Sequence, residues 1–201
     1  MGMSGGIHKA DRSEASASAM LRTDGSLLVQ SSVADVGPGS ATIMAQIAAD
    51  TFGTDLARID FQWGNSSFPK APGQFGSHTT ASVGSAVHDA VKSLQKRMKE
   101  LAVNTSGSPM NSANIDDLLL ENGMITDRKS GKKFSYTDLL EQNGLSEFNI
   151  TTESKSGSEK EQFSGKSFCA HFVEVHVHPA TGVVRVSRVV TAVGCRQDHY
   201  L

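Results

Sequence analysis

From Val83 to Ala102, apolar side chains return at helical spacing. Val83, Val87, Ala90, Val91, Leu94, Met98 and Leu101 fall on one face, and Lys92, Gln95, Lys96 and Lys99 on the other. A helix this long and this one-sided is held mainly by what covers its stripe, because intrinsic helix propensity contributes little on its own. The rest of the chain must supply that cover.

Strands are the available partners. Residues 16–22 (SASAMLR) and 26–33 (LLVQSSVA) read as two strands, joined by the tight-turn signal Thr23-Asp24-Gly25. Residues 41–52 read as a helix with Ile43, Ile47 and Ala48 on one face, Met44 and Thr51 beside it, and Gly53 placed for a left-handed C-terminal cap. Residues 57–63 (ARIDFQW) alternate as a strand with Ile59, Phe61 and Trp63 on one side. A long Gly, Ser, Thr and Pro-rich loop then leads to the amphipathic helix, expected over 83–102 with Ser82 as its cap.

Beyond the helix, 103–114 is a polar linker. IDDLLLENGMITD reads as a hairpin through Asn122-Gly123, and SYTDLLEQNG as a short helix capped by Ser135 or Thr137 and stopped at Gly144. Residues 151–167 are polar and expected to be mobile. Two strands, 168–178 and 182–193, close the chain around the turn HPATG. In the first, His171, Val173, Val175 and Val177 share one face, and Phe172, Glu174, His176 and His178 the other.

The order β-β-α-β-α, then a small insert, then β-β, predicts an α+β fold: a two-layer subdomain, a hairpin/helix insert and a closing β-hairpin. The expected divisions are 1–103, 104–164, and 165–201 as a hairpin belonging to the first domain.

Composition narrows the function. The formal net charge is −2 across 201 residues, which gives no electrostatic basis for nucleic-acid or membrane-surface binding. No apolar run is long enough to span a bilayer, and MGMSGGIHKADR has no apolar signal core or full myristoylation signal, so a cytoplasmic location is expected. Cys169 and Cys195 have no metal-site spacing and read as reduced thiols. Glu174, His176 and His178 alternate on a strand as zinc ligands can, but an exposed polar strand end has the same pattern, and no metal site is assigned.

Two loops carry the chemistry. In DVGPGSATIMAQIAADTFG, Gly37 and Gly39 strip side chains from the start of a helix whose free amides suit an anion, while Pro38 removes one donor. The turn lacks the last glycine of a dinucleotide fingerprint and the lysine of a phosphate loop, so a plain structural turn fits it as well. In GQFGSHTTASVGSA, Ser77, Thr79, Thr80, Ser82 and Ser85 bring hydroxyls, Gly76 and Gly84 allow close approach, and His78 is a candidate contact. Two such helix N-termini could converge on one polar, phosphate-bearing ligand. No residue stands out as a general base or nucleophile.

At these loops the chain resembles the xanthine dehydrogenase and aldehyde oxidase family of molybdenum hydroxylases, in the large molybdopterin-binding subunit and closest to the bacterial aldehyde oxidoreductases. ASASAMLRTDGSLLVQSSVADVGPGSATIMAQIAADTFG, FPKAPGQFGSHTTASVGSAV and SFCAHFVEVHVHPATGVVRVSRVVTAV carry the resemblance, in family order over about half the chain. It implies that Val36, Gly37, Pro38 and Gly39, with Ser77, Thr79, Thr80, Ala81, Ser82, Val83, Gly84 and Ser85, bind a molybdopterin cofactor in dinucleotide form.

The resemblance also implies that the rest of the large subunit or a complementary chain completes the site, that iron–sulfur and flavin subunits accept electrons, and that export to the periplasm as part of a complex is open. Pro38 stands where the family often has Gln. The family's catalytic glutamate in a Gly-x-Gly-Glu motif has no counterpart in these residues. The expected role is a partial cofactor-binding domain of an oxidoreductase that does not act alone. The alternatives are a non-catalytic pterin- or nucleotide-binding module, or a truncated gene product without activity.

Overall fold

In the computed structural model, residues 1–9, 11–158, 162 and 165–194 are described. β1 (Gly2–Lys9) is followed by β2 (Ala15–Arg22), β3 (Leu27–Gln30) and α1 (Ser40–Phe52). Next come β4 (Ile59–Gln62) and α2 (Thr79–Asn104). A small group follows: β5 (Leu118–Glu121), β6 (Met124–Asp127), β7 (Lys133–Ser135) and α3 (Tyr136–Gln142). Then come β8 (Glu147–Ser154), β9 (Lys166–Val177) and β10 (Val184–Gly194). Contacts divide the chain into a unit of Arg12–Ser156 and a unit of Met1–Asp11 with Gly157–Leu201.

The larger unit has the expected α+β architecture. Its four-stranded sheet has the order β4-β3-β2-β8. β2 runs antiparallel to both neighbours, and β3 and β4 are parallel with α1 as the crossover. Every second residue of β2 is buried, and these are Ala15, Ala17, Ala19 and Leu21. Small side chains on that face let a helix lie close, and α2 packs there with the stripe read from the sequence: Val83, Val87, Ala90, Val91, Leu94 and Met98 are fully buried. α1 packs on β4 and α2.

At the crossing of the two helices, a Cβ on Gly84 would stand 2.8 Å from Ile47 Cδ1, so the glycine serves helix–helix approach.

Two of the departures from the expected boundaries bear on the site and the core. α2 begins at Thr79, four residues before the expected start, with His78 at the N-cap position. Ser82 is therefore not the cap. Its hydroxyl sits inside the first turn, donating to His78 O (2.7 Å) and accepting from Ser13 N (2.9 Å). The polar residues of 79–82 break the apolar pattern, and of these Ser82 has its partners within the fold. Residues 151–154, read as part of a mobile segment, complete β8, whose Phe148 and Ile150 pack on the core beside β2. Residues 159–161, 163 and 164 of that segment lie outside the described residues, as does Cys195.

Within the expected insert, the hairpin and the short helix form. Asn122 and Gly123 take positive φ values of 50° and 76° at the β5–β6 turn, and Ser135 Oγ accepts from Asp138 N (3.0 Å) to cap α3. The short β7 was not anticipated. The insert joins the main core through Tyr136, whose ring lies 5.3 Å from that of Phe52.

In the smaller unit, β9 and β10 form the expected hairpin, with a bulge at Ser187. β1 adds along the other edge of β9, which the sequence did not suggest because GMSGGIHK has little strand propensity. The ladder forms through main-chain bonds and is helped by Gly6, above which the Cys169 thiol sits.

Two stability outcomes follow from this packing. Gly84→Ala gains helix propensity of about 1 kcal/mol and displaces only the tip of Ile47, so it should fall within about 1 kcal/mol of wild type. Gly84→Val should cost about 2–3 kcal/mol, read by urea unfolding. The Tyr136 hydroxyl is buried without a partner among the described residues, and burial pushes its ionisation well up. Tyr136→Phe should be neutral or stabilising by about 1 kcal/mol in the same assay.

Candidate functional site

The glycine turn leads into α1 through two left-handed residues, Gly37 (φ 111°) and Gly39 (φ 82°). There is open space around both, so backbone conformation and not crowding calls for glycine. The amides at this end of α1 are not free. Asp35 Oδ1 accepts from Gly37 N (2.9 Å) and Oδ2 from Ala41 N (3.1 Å). These bonds hold the Asp35 carboxyl below the usual range. Of the two readings of this turn, a ligand contact and a structural turn, the Asp35 bonds to Gly37 and Ala41 supply the structural one.

Across from the turn lies the second loop. Gln74 Oε1 accepts from Val36 N (2.7 Å) and Gln74 Nε2 donates to Ser40 Oγ (2.7 Å). Phe75 is 71% exposed, and its ring meets His78 edge-on at 4.9 Å. Gly76 and Ser77 adopt left-handed φ values of 63° and 57° to turn the chain into α2. Among the described residues, no acceptor takes the first-turn amides of Thr79, Thr80 and Ala81. This end of α2 retains the positive field and the donors that α1 has lost to Asp35.

The two segments enclose an open cleft of about 350 Å³. Val36, Pro38, Ser40 and Ile43 line it from the first side; Gln74, Phe75, Ser77, Thr79 and Thr80 line it from the second. Of the residues singled out by sequence, Val36, Pro38, Ser77, Thr79 and Thr80 thus come together. Gly37 and Gly39 shape the turn behind them, and Ala81 is exposed on the first turn of α2.

Ser82, Val83, Gly84 and Ser85 are buried in α2 and do not line the cleft. Ser85 Oγ donates to Ala81 O (2.7 Å) and accepts from Arg12 Nη1 (3.3 Å). His78 is buried under Phe75 and lies 3.4 Å from Ser82 Oγ.

Sequence reasoning missed Asp35, Ser40, Ile43, Gln74 and Phe75. Asp35 had a signal, since an aspartate two residues before a glycine commonly bonds forward to its own backbone. The pairing of Gln74 with the turn had none, because it spans 38 residues.

None of the nine lining side chains titrates. The cleft can stack, hydrogen-bond and attract negative charge. It fits a flat polar group with an anionic end: an exposed aromatic face, three hydroxyls on its second side, and one open helix terminus.

Elsewhere, Glu174 Oε1 lies 3.3 Å from His176 Nε2 and accepts from Ser187 Oγ (2.9 Å). Among the described residues, no three His, Cys, Asp or Glu side chains gather as a metal site. No helix among them is long and apolar enough to cross a membrane.

The profile of the molybdopterin cofactor-binding domain matches residues 1–196. The aldehyde oxidoreductase molybdenum-binding subunit PaoC of Escherichia coli K12 is 28% identical over 176 residues, which are 84% of this chain and 21% of that subunit. The chain therefore spans about a fifth of this relative. Among solved structures, CO dehydrogenase from Oligotropha carboxidovorans superposes with a TM-score of 0.78 at 18% identity, over 96% of this chain and 25% of that one. Quinoline 2-oxidoreductase from Pseudomonas putida 86 gives 0.75 at 19%, over 94% and 26%. The aldehyde oxidoreductase of Desulfovibrio desulfuricans ATCC 27774 gives 0.63 at 20%, over 96% and 19%. At these identities the superpositions establish a shared fold.

The Asp35 cap has a pH signature. Its folded-state value lies below the ordinary 3.8, so its contribution is complete above that value and is lost as pH falls through the lower, folded one. Wild type should be more stable than Asp35→Ala near neutral pH, with the gap closing in strong acid. Thermal melts of both proteins across that range, with a carboxyl NMR titration of Asp35, check the sign.

Proposed function

This chain belongs to the molybdopterin cofactor-binding domain family, and from that premise we propose that it forms one wall of the cofactor site of an aldehyde-oxidising molybdenum enzyme. The observation that carries the proposal is the cleft, which gathers residues of both glycine-rich loops around one open, uncharged space. In this reading Val36, Pro38 and the turn at Gly37 and Gly39 border the ring system. Phe75 offers it an aromatic face. Ser77, Thr79 and Thr80, with the open amides of the first turn of α2, take hydroxyl and phosphate groups. When bound, the molybdenum cofactor supplies the redox chemistry.

The chain's own share is binding and orientation. A cleft lined without a titratable side chain leaves proton transfer to residues from elsewhere, so the domain works with further large-subunit sequence and not alone. Exposed apolar residues along β9 and β10, among them Phe168, Phe172, Val186 and Val193, support assembly with other polypeptide. Electron-accepting iron–sulfur and flavin subunits complete the enzyme in this view. The same uncharged lining also suits a non-catalytic pterin- or nucleotide-binding module. Aldehyde oxidation on mixing with a complementary fragment favours the first reading, and cofactor binding with no turnover favours the second.

Expression in a host that makes the molybdenum cofactor, with molybdenum and released pterin counted per chain, is the direct test. Substantial loading is the expected result; a folded protein with neither molybdenum nor pterin overturns the reading. Thr80→Glu sharpens the test. A carboxylate in the first turn should maintain or raise the melting temperature through the helix dipole, yet lower pterin content several-fold by opposing the ligand's anionic end.

A further inference from the structure

Each wall of the cleft is a turn that leads into a helix, α1 on one side and α2 on the other. Four left-handed residues, Gly37 and Gly39 on one side and Gly76 and Ser77 on the other, leave no ladder of main-chain bonds to fix the gap. Across that gap, between residues 36–43 and 73–80, the hydrogen bonds found among the described residues are the two made by Gln74. They straddle the turn: Val36 stands just before Gly37, and Ser40 just after Gly39. The orientation of the carboxamide is fixed by chemistry, because only its oxygen can accept from the Val36 amide, which leaves Nε2 to face Ser40 Oγ.

Asp35 braces the same turn from within, through Gly37 and Ala41. Gln74 braces it from across the cleft. Ser40 is 3% exposed and begins α1, so this anchor is a rigid one, whereas Val36 is 76% exposed and depends on the bond to hold its place at the rim.

We propose that Gln74 is a positioning residue for the ligand of the cleft, acting as a strut that sets the separation between the Val36–Pro38 rim and the Phe75–Thr80 wall. This rests on the reading of the cleft as a cofactor wall. The strut fixes the separation of the two walls before the ligand arrives, so less ordering cost falls on binding. The carboxamide is not exhausted by this duty: a second N–H and a second lone pair remain beyond the two bonds it makes.

The experiment uses the full chain, expressed in a host that makes the molybdenum cofactor, as wild type, Gln74→Ala and Ser40→Ala. Three quantities are read: pterin per chain, amide hydrogen exchange at Val36, and melting temperature. The expected result is exchange at Val36 faster by about tenfold in Gln74→Ala, consistent with one lost neutral hydrogen bond. Pterin content should drop to about a tenth, with the melting temperature close to wild type.

Ser40→Ala removes one of the two bonds and should give an intermediate loss of pterin. Adding Gln74→Ala to it should cost less than Gln74→Ala costs wild type, as coupled partners require. Wild-type pterin content in Gln74→Ala overturns the proposal, whether or not Val36 exchange changes. Unchanged exchange at Val36 overturns it too, because the strut would then not exist. Absence of pterin from the wild type brings down the reading of the cleft and the proposal with it. That failure is told apart from the others because it appears before any substitution is made.

Discussion

The packing of α2 on the alanine face of β2 is the contact on which the rest depends. Val83, Val87, Val91, Leu94 and Met98 are fully buried, and at about 2 kcal/mol each their burial contributes about 10 kcal/mol as an upper bound. That burial is shared between the sheet and α1, which packs on the same helix. The small residues Ala15, Ala17 and Ala19 permit it, and Gly84 extends the same logic sideways by admitting Ile47 of α1. With α2 seated on the sheet and α1 seated on α2, the N-termini of both helices open on one cleft.

What could be read in the sequence follows from this hierarchy. The stripe of α2, the β2–β3 hairpin, the Asn122-Gly123 turn and the Ser135 cap were legible because each is set by residues a few positions apart. β8 was not, since its polar residues mask a face that is half-buried only once β2 lies beside it. β1 was not, since it is held by main-chain pairing to β9 and side-chain pattern says little about that. The first turn of α2 was missed for a third reason: Thr79 and Ser82 look like cap and loop residues, and the Ser82 hydroxyl is satisfied by Ser13, which lies outside any local window, and by the main chain of His78.

The same distinction runs through the candidate site. Glycines in left-handed turns are visible in sequence, and both loops were singled out on that ground. The direction in which each side chain faces is not visible. Ser82 and Ser85 look like ligand hydroxyls in a string of letters, yet the chain spends them on its own N-terminal segment at Arg12 and Ser13. Asp35 shows the deeper difficulty. A glycine-rich turn into a helix suggests an anion site in general, and whether it is one here turns on a single carboxylate two residues upstream that can take the amides first.

That carboxylate makes the cleft electrostatically one-sided. Were the N-termini of α1 and α2 both open, two positive helix ends would face each other across about 350 Å³ and an anionic group could settle at either. With α1 neutralised by Asp35, the favourable field is left at the first turn of α2, while the opposite rim offers Val36 and Pro38, which suit an uncharged ring edge. A ligand with one flat end and one charged end then has a preferred direction, fixed by the fold before binding. No ionisable side chain lines the space to disturb that preference or to take part in proton transfer. On the proposed reading the arrangement is that of a holder, with acid or base supplied by polypeptide from beyond this cleft.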